Sequence, residues 1–191
     1  ARRLCGEWEP EPATPRGEAG QPRAAACPGV DRIVRPTASL EYAVRLSAAP
    51  GENDPDRWAA GLLAVVLGDG SGSRLYWDLV DSGLAEQATL GHQDFLDAGL
   101  FVTQLSCEAD DVDGLLARIT DLYAAAGQAG ITSAEFEQAC NKVAGRVVLA
   151  GERPRRRLFD VGLEWAHFRR FRSVAETLGI VESLTLDDVH R

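Results

Sequence analysis

Along this chain the apolar residues recur at every second position, then at helical spacing, then again at every second position, and finally at helical spacing for all that remains. Few folds accommodate that order. In LEYAVRLS, residues 40–47, Leu40, Tyr42, Val44 and Leu46 alternate with Glu41, Ala43, Arg45 and Ser47, the period of a strand with one buried face. Asp54-Pro55-Asp56 then offers an N-cap, a proline suited to the first helical position and an acid in the first turn, and Trp58, Leu62, Val65 and Val66 follow at helical spacing. A helix is expected over residues 55–67. Ala85 to Phe95 and Leu100 to Cys107 read as two further strands, the second alternating Phe101, Thr103, Leu105 and Cys107 with Val102, Gln104 and Ser106. The bend Asp97-Ala98-Gly99 between them predicts a hairpin. Beyond it Val112, Leu115, Leu116, Ile119, Leu122, Tyr123 and Ala126 mark a long amphipathic helix, ended by Gly127 to Gly130. Thr132-x-x-Glu135 and Ser173-x-x-Glu176 are capping boxes, the first opening a helix that turns Phe136, Cys140, Val143 and Val147 inward. Between them Pro154 restarts a helix carrying Leu158, Val161, Trp165 and Phe168. The predicted fold is α+β, a mixed or antiparallel sheet with helices packed on one face.

The glycine-rich stretch LGDGSGSRLYWDLVDSGLAEQATLG, residues 67–91, poses a choice between a phosphate-gripping loop and a bend in the scaffold. Both phosphate motifs need a strand directly before the glycines, and here a helix precedes them. Gly68-x-Gly70-x-Gly72 is also one residue short of G-x-G-x-x-G, and no Lys-Ser/Thr follows. The expectation is a sharp turn in which Ser73 caps a second helix, Arg74 to Ser82, closed by Gly83 in the left-handed conformation. Arg74 opens that helix, where a cation is unfavourable to the dipole, so a partner is expected to hold it.

A chain of 191 residues, 45% hydrophobic and 26% charged, can bury a sizeable core. Its net charge of -9 leaves no excess of cations to displace counterions, which argues against a nucleic-acid partner. No apolar run approaches the ~20 residues a bilayer requires, so no membrane partner is expected. Cys5, Cys27, Cys107 and Cys140 lie far apart, with no C-x-x-C pair and no histidine at ligand spacing, so no metal site is implied. Reduced thiols and a cytoplasmic location are expected rather than a disulfide framework. Residues 9–29 are rich in Pro, Gly, Ala and charge and read as a linker, and residues 1–8 read as the last turns of a helix. The domain division is therefore 1–29, helix end plus linker, and 30–191, an α+β domain. With no methionine, the chain is expected to be part of a longer protein.

Taken in order, LLAVVLGDGSGSRLYWDLVDSGLAEQATLG, DAGLFVTQLSCEADDVDGLL, ITSAEFEQACNKVAGRVVL and SLTLDDVHR resemble the C-terminal half of a pitrilysin-like, insulinase-type zinc metallopeptidase, the family of mitochondrial processing peptidase. The resemblance covers most of residues 40–191. It implies a subunit of two similar α+β halves, the N-terminal one bearing an inverted zinc motif H-x-x-E-H, that closes as a clamshell around a peptide. Zinc there polarises the carbonyl and activates water, with a glutamate as general base. No catalytic residue and no metal ligand is expected in this chain, because His92, His167 and His190 fall in no such motif. Zinc is expected in the N-terminal half, and the fragment alone is expected to be inactive.

Arg74, Tyr76 and His92 are the candidate substrate contacts. His92 also reads as a polar residue of one sheet face, and His167, beside Trp165 and Phe168, as a packing histidine. Members that complete the site from this half carry L-R-x-x-x-G-L-x-Y, whose Arg and Tyr stabilise an oxyanion. Here LVDSGLAE places Val80 at the Arg position and Glu86 at the Tyr, and neither can donate. Expected partners are the chain's own N-terminal half, a peptide substrate, and a homo- or heterodimer mate, the lost Arg and Tyr favouring an unlike subunit. A catalytically dead structural subunit of the same family is the alternative. The arginines at 153, 155–157, 169, 170 and 172 read either as a site for an acidic peptide or as a solvated helix face paired with Glu152, Asp160 and Glu164.

Overall fold

The computed structural model describes residues 29–35, 37–108 and 111–191. The expected helix end and nearly all of the expected linker lie outside these residues. Three antiparallel strands, β1 (Leu40–Ala49), β2 (Gln87–Phe95) and β3 (Ala98–Glu108), form a sheet in the order β1-β3-β2. The helices are α1 (Arg57–Gly68), α2 (Val112–Ala129), α3 (Ser133–Gly151), α4 (Pro154–Phe168), α5 (Val174–Ser183) and α6 (Leu186–His190), with a π-helical segment Tyr76–Val80. The α+β class and the hairpin thus stand as expected.

The core fills the space between one sheet face and the helices. From the sheet come Ala88, Leu90, Leu105 and Cys107; from the layer above come Leu67, Leu75, Leu79, Leu115 and Ile119. Leu75, Leu79 and Ile119 are fully inaccessible. A second cluster joins α1 to α3 through Leu62, Val66, Ile131 and Ala139. Gly68 makes the first layer possible, since a Cβ there would collide with the backbone nitrogen and Cβ of Leu90. The end of α1 therefore rests on β2 at a distance only glycine permits. Among the described residues no helix is long and apolar enough to cross a membrane.

Both predicted capping boxes form, at Thr132/Glu135 and Ser173/Glu176, and a third forms at Thr185/Asp188. Gly83 and Gly130 take the positive φ that ends their segments, at 77° and 73°. Two local expectations need correction. The helix after Asp54-Pro55 starts two residues late, because Asp54 Oδ1 accepts from the Asp56 nitrogen (3.0 Å) and a turn precedes Arg57. Ser73 Oγ does accept from the Tyr76 nitrogen (3.1 Å), but the helix it caps is wound wide, with Asp81 N–H donating to Tyr76 C=O at 2.8 Å. Leu75 and Leu79 are both fully buried. The helix expected from Pro154 forms as α4, in which Leu158 is 70% exposed and Trp165 54% while Val161 and Phe168 are half-buried.

Candidate functional site: an outward apolar sheet face

The largest departure from the sequence expectation lies on β1. The strand exists, but its apolar side is turned away from the helices, with Tyr42 73%, Val44 64% and Leu46 60% exposed. The covered side carries Ala43, packed on the core, and Arg45, whose guanidinium donates to Thr120 Oγ1 of α2 at 2.8 Å. Alternation marks one face as apolar; which face the chain itself covers is decided by where the helices dock, and here small Ala43 admits them. The register places Tyr42 opposite Ser106, Val44 opposite Gln104 and Leu46 opposite Val102. Phe95 at the end of β2 shares this face and is 54% exposed. Towards the end of β3, opposite Tyr42 and Gln87, the buried Ser106 hydroxyl has no hydrogen-bond partner among the described residues. The outer edge of β1 pairs with no described strand, so an extended peptide can add there through main-chain bonds while apolar side chains meet Tyr42, Val44 and Leu46.

The candidate contacts do not converge. Arg74 clamps Glu135 in a two-pronged pair, Nε to Oε1 at 2.7 Å and Nη2 to Oε2 at 2.9 Å, and Nη2 also donates to the Gly130 carbonyl. This is the partner the sequence called for at the helix start. The guanidinium holds the Glu135 carboxyl at about 2, against an ordinary value of 4.5, outweighing its partial burial, with further help from the Thr132 amide and hydroxyl. Tyr76, at the start of the π-helical segment, packs edge-on against Trp77, and its hydroxyl bonds no described residue. His92 lies on the helix side of β2, Nε2 bonded to the Pro50 carbonyl at 2.8 Å and the ring tilted against Phe101. Val80 ends the π-helical segment, half-buried against the core, and Glu86 is exposed just before β2. Neither offers a donor side chain.

The remaining histidines have structural partners. His167 Nδ1 meets Glu52 Oε2 at 2.5 Å, and His190 Nε2 accepts from the Ile131 amide at 3.0 Å. No three His, Cys, Asp or Glu side chains converge as metal ligands among the described residues, so zinc has no fit here. Cys107 and Cys140 are free thiols, both pushed up by burial; Cys5 and Cys27 lie outside the described residues. The glycine-rich turn is closed by protein charge. Asp69 there binds Lys142 at 3.0 Å and Arg146 at 2.6 Å, and Lys142 also donates to the Ser71 carbonyl. Burial alone would raise the Asp69 pKa, but these two cations hold it below the ordinary value. The cations beside the turn are thus engaged by its own carboxylate and carbonyl.

The Peptidase M16 inactive-domain family matches residues 1–143, and the chain belongs to it. An uncharacterized zinc protease of Streptomyces coelicolor is 30% identical over 182 residues, covering 94% of this chain and 39% of that protein. One from Mycobacterium tuberculosis is 28% identical over 142 residues, 74% of this chain and 32% of its own length. The chain thus spans well under half of these relatives. A Peptidase M16 inactive domain from Pseudomonas fluorescens superimposes with a TM-score of 0.71 at 21% identity, over 80% of this chain and 37% of that one.

Proposed function

We propose that this chain is the substrate-cradling, non-catalytic half of a zinc metalloendopeptidase subunit, with zinc held by the other half of the parent protein. The observation that carries the reading is the outward face of β1: three large apolar side chains beside an edge that pairs with no described strand, on the side of the sheet that no described helix covers. Such a surface binds an extended peptide with little demand on its sequence, as a processing chamber requires. The two halves close as a clamshell, and dimerisation with an unlike subunit supplies the Arg and Tyr for which this chain has Val80 and Glu86. Tyr76, with its hydroxyl uncommitted, remains a substrate contact in this reading, whereas Arg74 and His92 would have to give up internal bonds to serve.

The test is deletion of residues 1–191 from the full-length parent. Zinc should still bind the remainder while peptide cleavage is lost; retained cleavage overturns the proposal. In the intact parent, Tyr42→Ser with Leu46→Ser should raise KM several-fold and leave zinc content unchanged.

A further inference from the structure

A second binding region lies behind the sheet, among α1, α3, α4, α5 and the end of β2. It is a cleft of about 790 Å³, within the range that buries a ligand the size of a short peptide. Six arginines reach its wall, in a chain whose net charge is -9. Its four carboxylates are all engaged: Asp94 by Arg57 (3.1 Å), Asp160 by Arg156 (3.1 Å), Glu164 by Arg172 (3.0 Å) and Glu52 by His167 (2.5 Å). Arg146 is satisfied from outside the cleft by Asp69. Arg153 and Arg157 are left, and neither pairs with a carboxylate among the described residues. Arg157 donates only to the Arg172 carbonyl (2.8 Å) and lies over the Phe171 ring.

Arg153, the N-cap of α4, and Arg157 in its first turn both line this cleft. The surfaces between them and the floor are apolar. Leu149 and Leu163 are more than half exposed at the mouth, and Trp58 lines the wall with Arg57 at 4.7 Å and Arg172 at 5.5 Å from its ring. A small inorganic anion would leave that apolar lining wet, and a purely apolar ligand would strand the cations. We infer that this cleft is a docking site for an acidic peptide segment, in which carboxylates meet Arg153 and Arg157 and neighbouring apolar side chains enter between Trp58, Leu149 and Leu163. The site is separate from the β1 face and does not depend on the peptidase reading.

The test uses this chain and a fluorescein-labelled peptide of alternating Glu and Leu, followed by fluorescence anisotropy. Saturable binding that weakens with added salt is expected, together with no saturable binding of the matching Lys–Leu peptide. Arg153→Glu should weaken binding about tenfold, the scale of one charge-assisted contact. Arg155→Glu changes the net charge identically but lies outside the cleft wall, and should leave affinity within about twofold. Equal effects of the two substitutions, or equal binding of the Lys–Leu peptide, overturn the inference. Displacement of the acidic peptide by inorganic phosphate at matching concentration overturns it too, in favour of a small-anion site. Thermal unfolding of each variant separates loss of binding from loss of fold.

Discussion

Glu135 does two jobs with one carboxylate: it completes the capping box at the start of α3 and it receives the Arg74 guanidinium. Its folded pKa of about 2 lies below the ordinary 4.5. A depressed carboxylate stabilises the fold above its unfolded pKa, and that stability is lost as pH falls from about 4.5 towards 2. Asp69 and Asp78, both lowered by arginine partners, act in the same direction. Urea midpoints measured across this window should fall steeply, and Glu135→Gln should flatten part of the slope. Arg74→Ala should cost about 1.5–3 kcal/mol at neutral pH, the range for a hydrogen bond to a charged group. Gly68→Ala tests the approach of α1 to β2: the Cβ strikes backbone, which cannot swing aside, so a loss of about 1–3 kcal/mol is expected in chemical denaturation. That Arg74 would find a partner was legible from its place at a helix start; that the partner would be Glu135, sixty-one residues away, was not, because pairing across the fold leaves no local signal.

At the scale of elements, period and caps carried most of what could be read. The strand alternation, the hairpin bend and the capping boxes all act within a few residues, and each formed where its residues stand. What the sequence could not convey was orientation. The apolar side of β1 and the stripe of α4 look like core by spacing alone, yet Tyr42, Val44, Leu46, Leu158 and Trp165 are all more than half exposed. The contrast is measurable. Val44→Thr or Leu158→Gln should shift the unfolding free energy by no more than about 0.5 kcal/mol. Ile119→Ala, at a fully buried position of α2, should cost about 2–5 kcal/mol. The π winding of 76–80 was likewise hidden, because no local signal in YWDLV sets it apart from an ordinary α-helical turn.

For the whole molecule, the proposed function makes Val80 and Glu86 a test of whether an unlike subunit completes the site. Full-length parent purified alone should cleave peptide weakly, and addition of an unlike subunit bearing the Arg and Tyr should restore activity; full activity alone would show the site to be completed some other way. The charge of -9 gives no hint that Arg153 and Arg157, which pair with no described carboxylate, line one cleft, because that depends on which carboxylates fold back onto which arginines. The bare edge of β1 has one more consequence. A strand that is apolar on its outer side, contains no proline, pairs along its edge with no described strand and has its inward Arg45 tied to Thr120 is a template for copies of itself. The isolated chain should therefore associate as its concentration rises and lose solubility faster than its stability predicts, and a lysine placed at Val44 should suppress that self-assembly while leaving the fold intact.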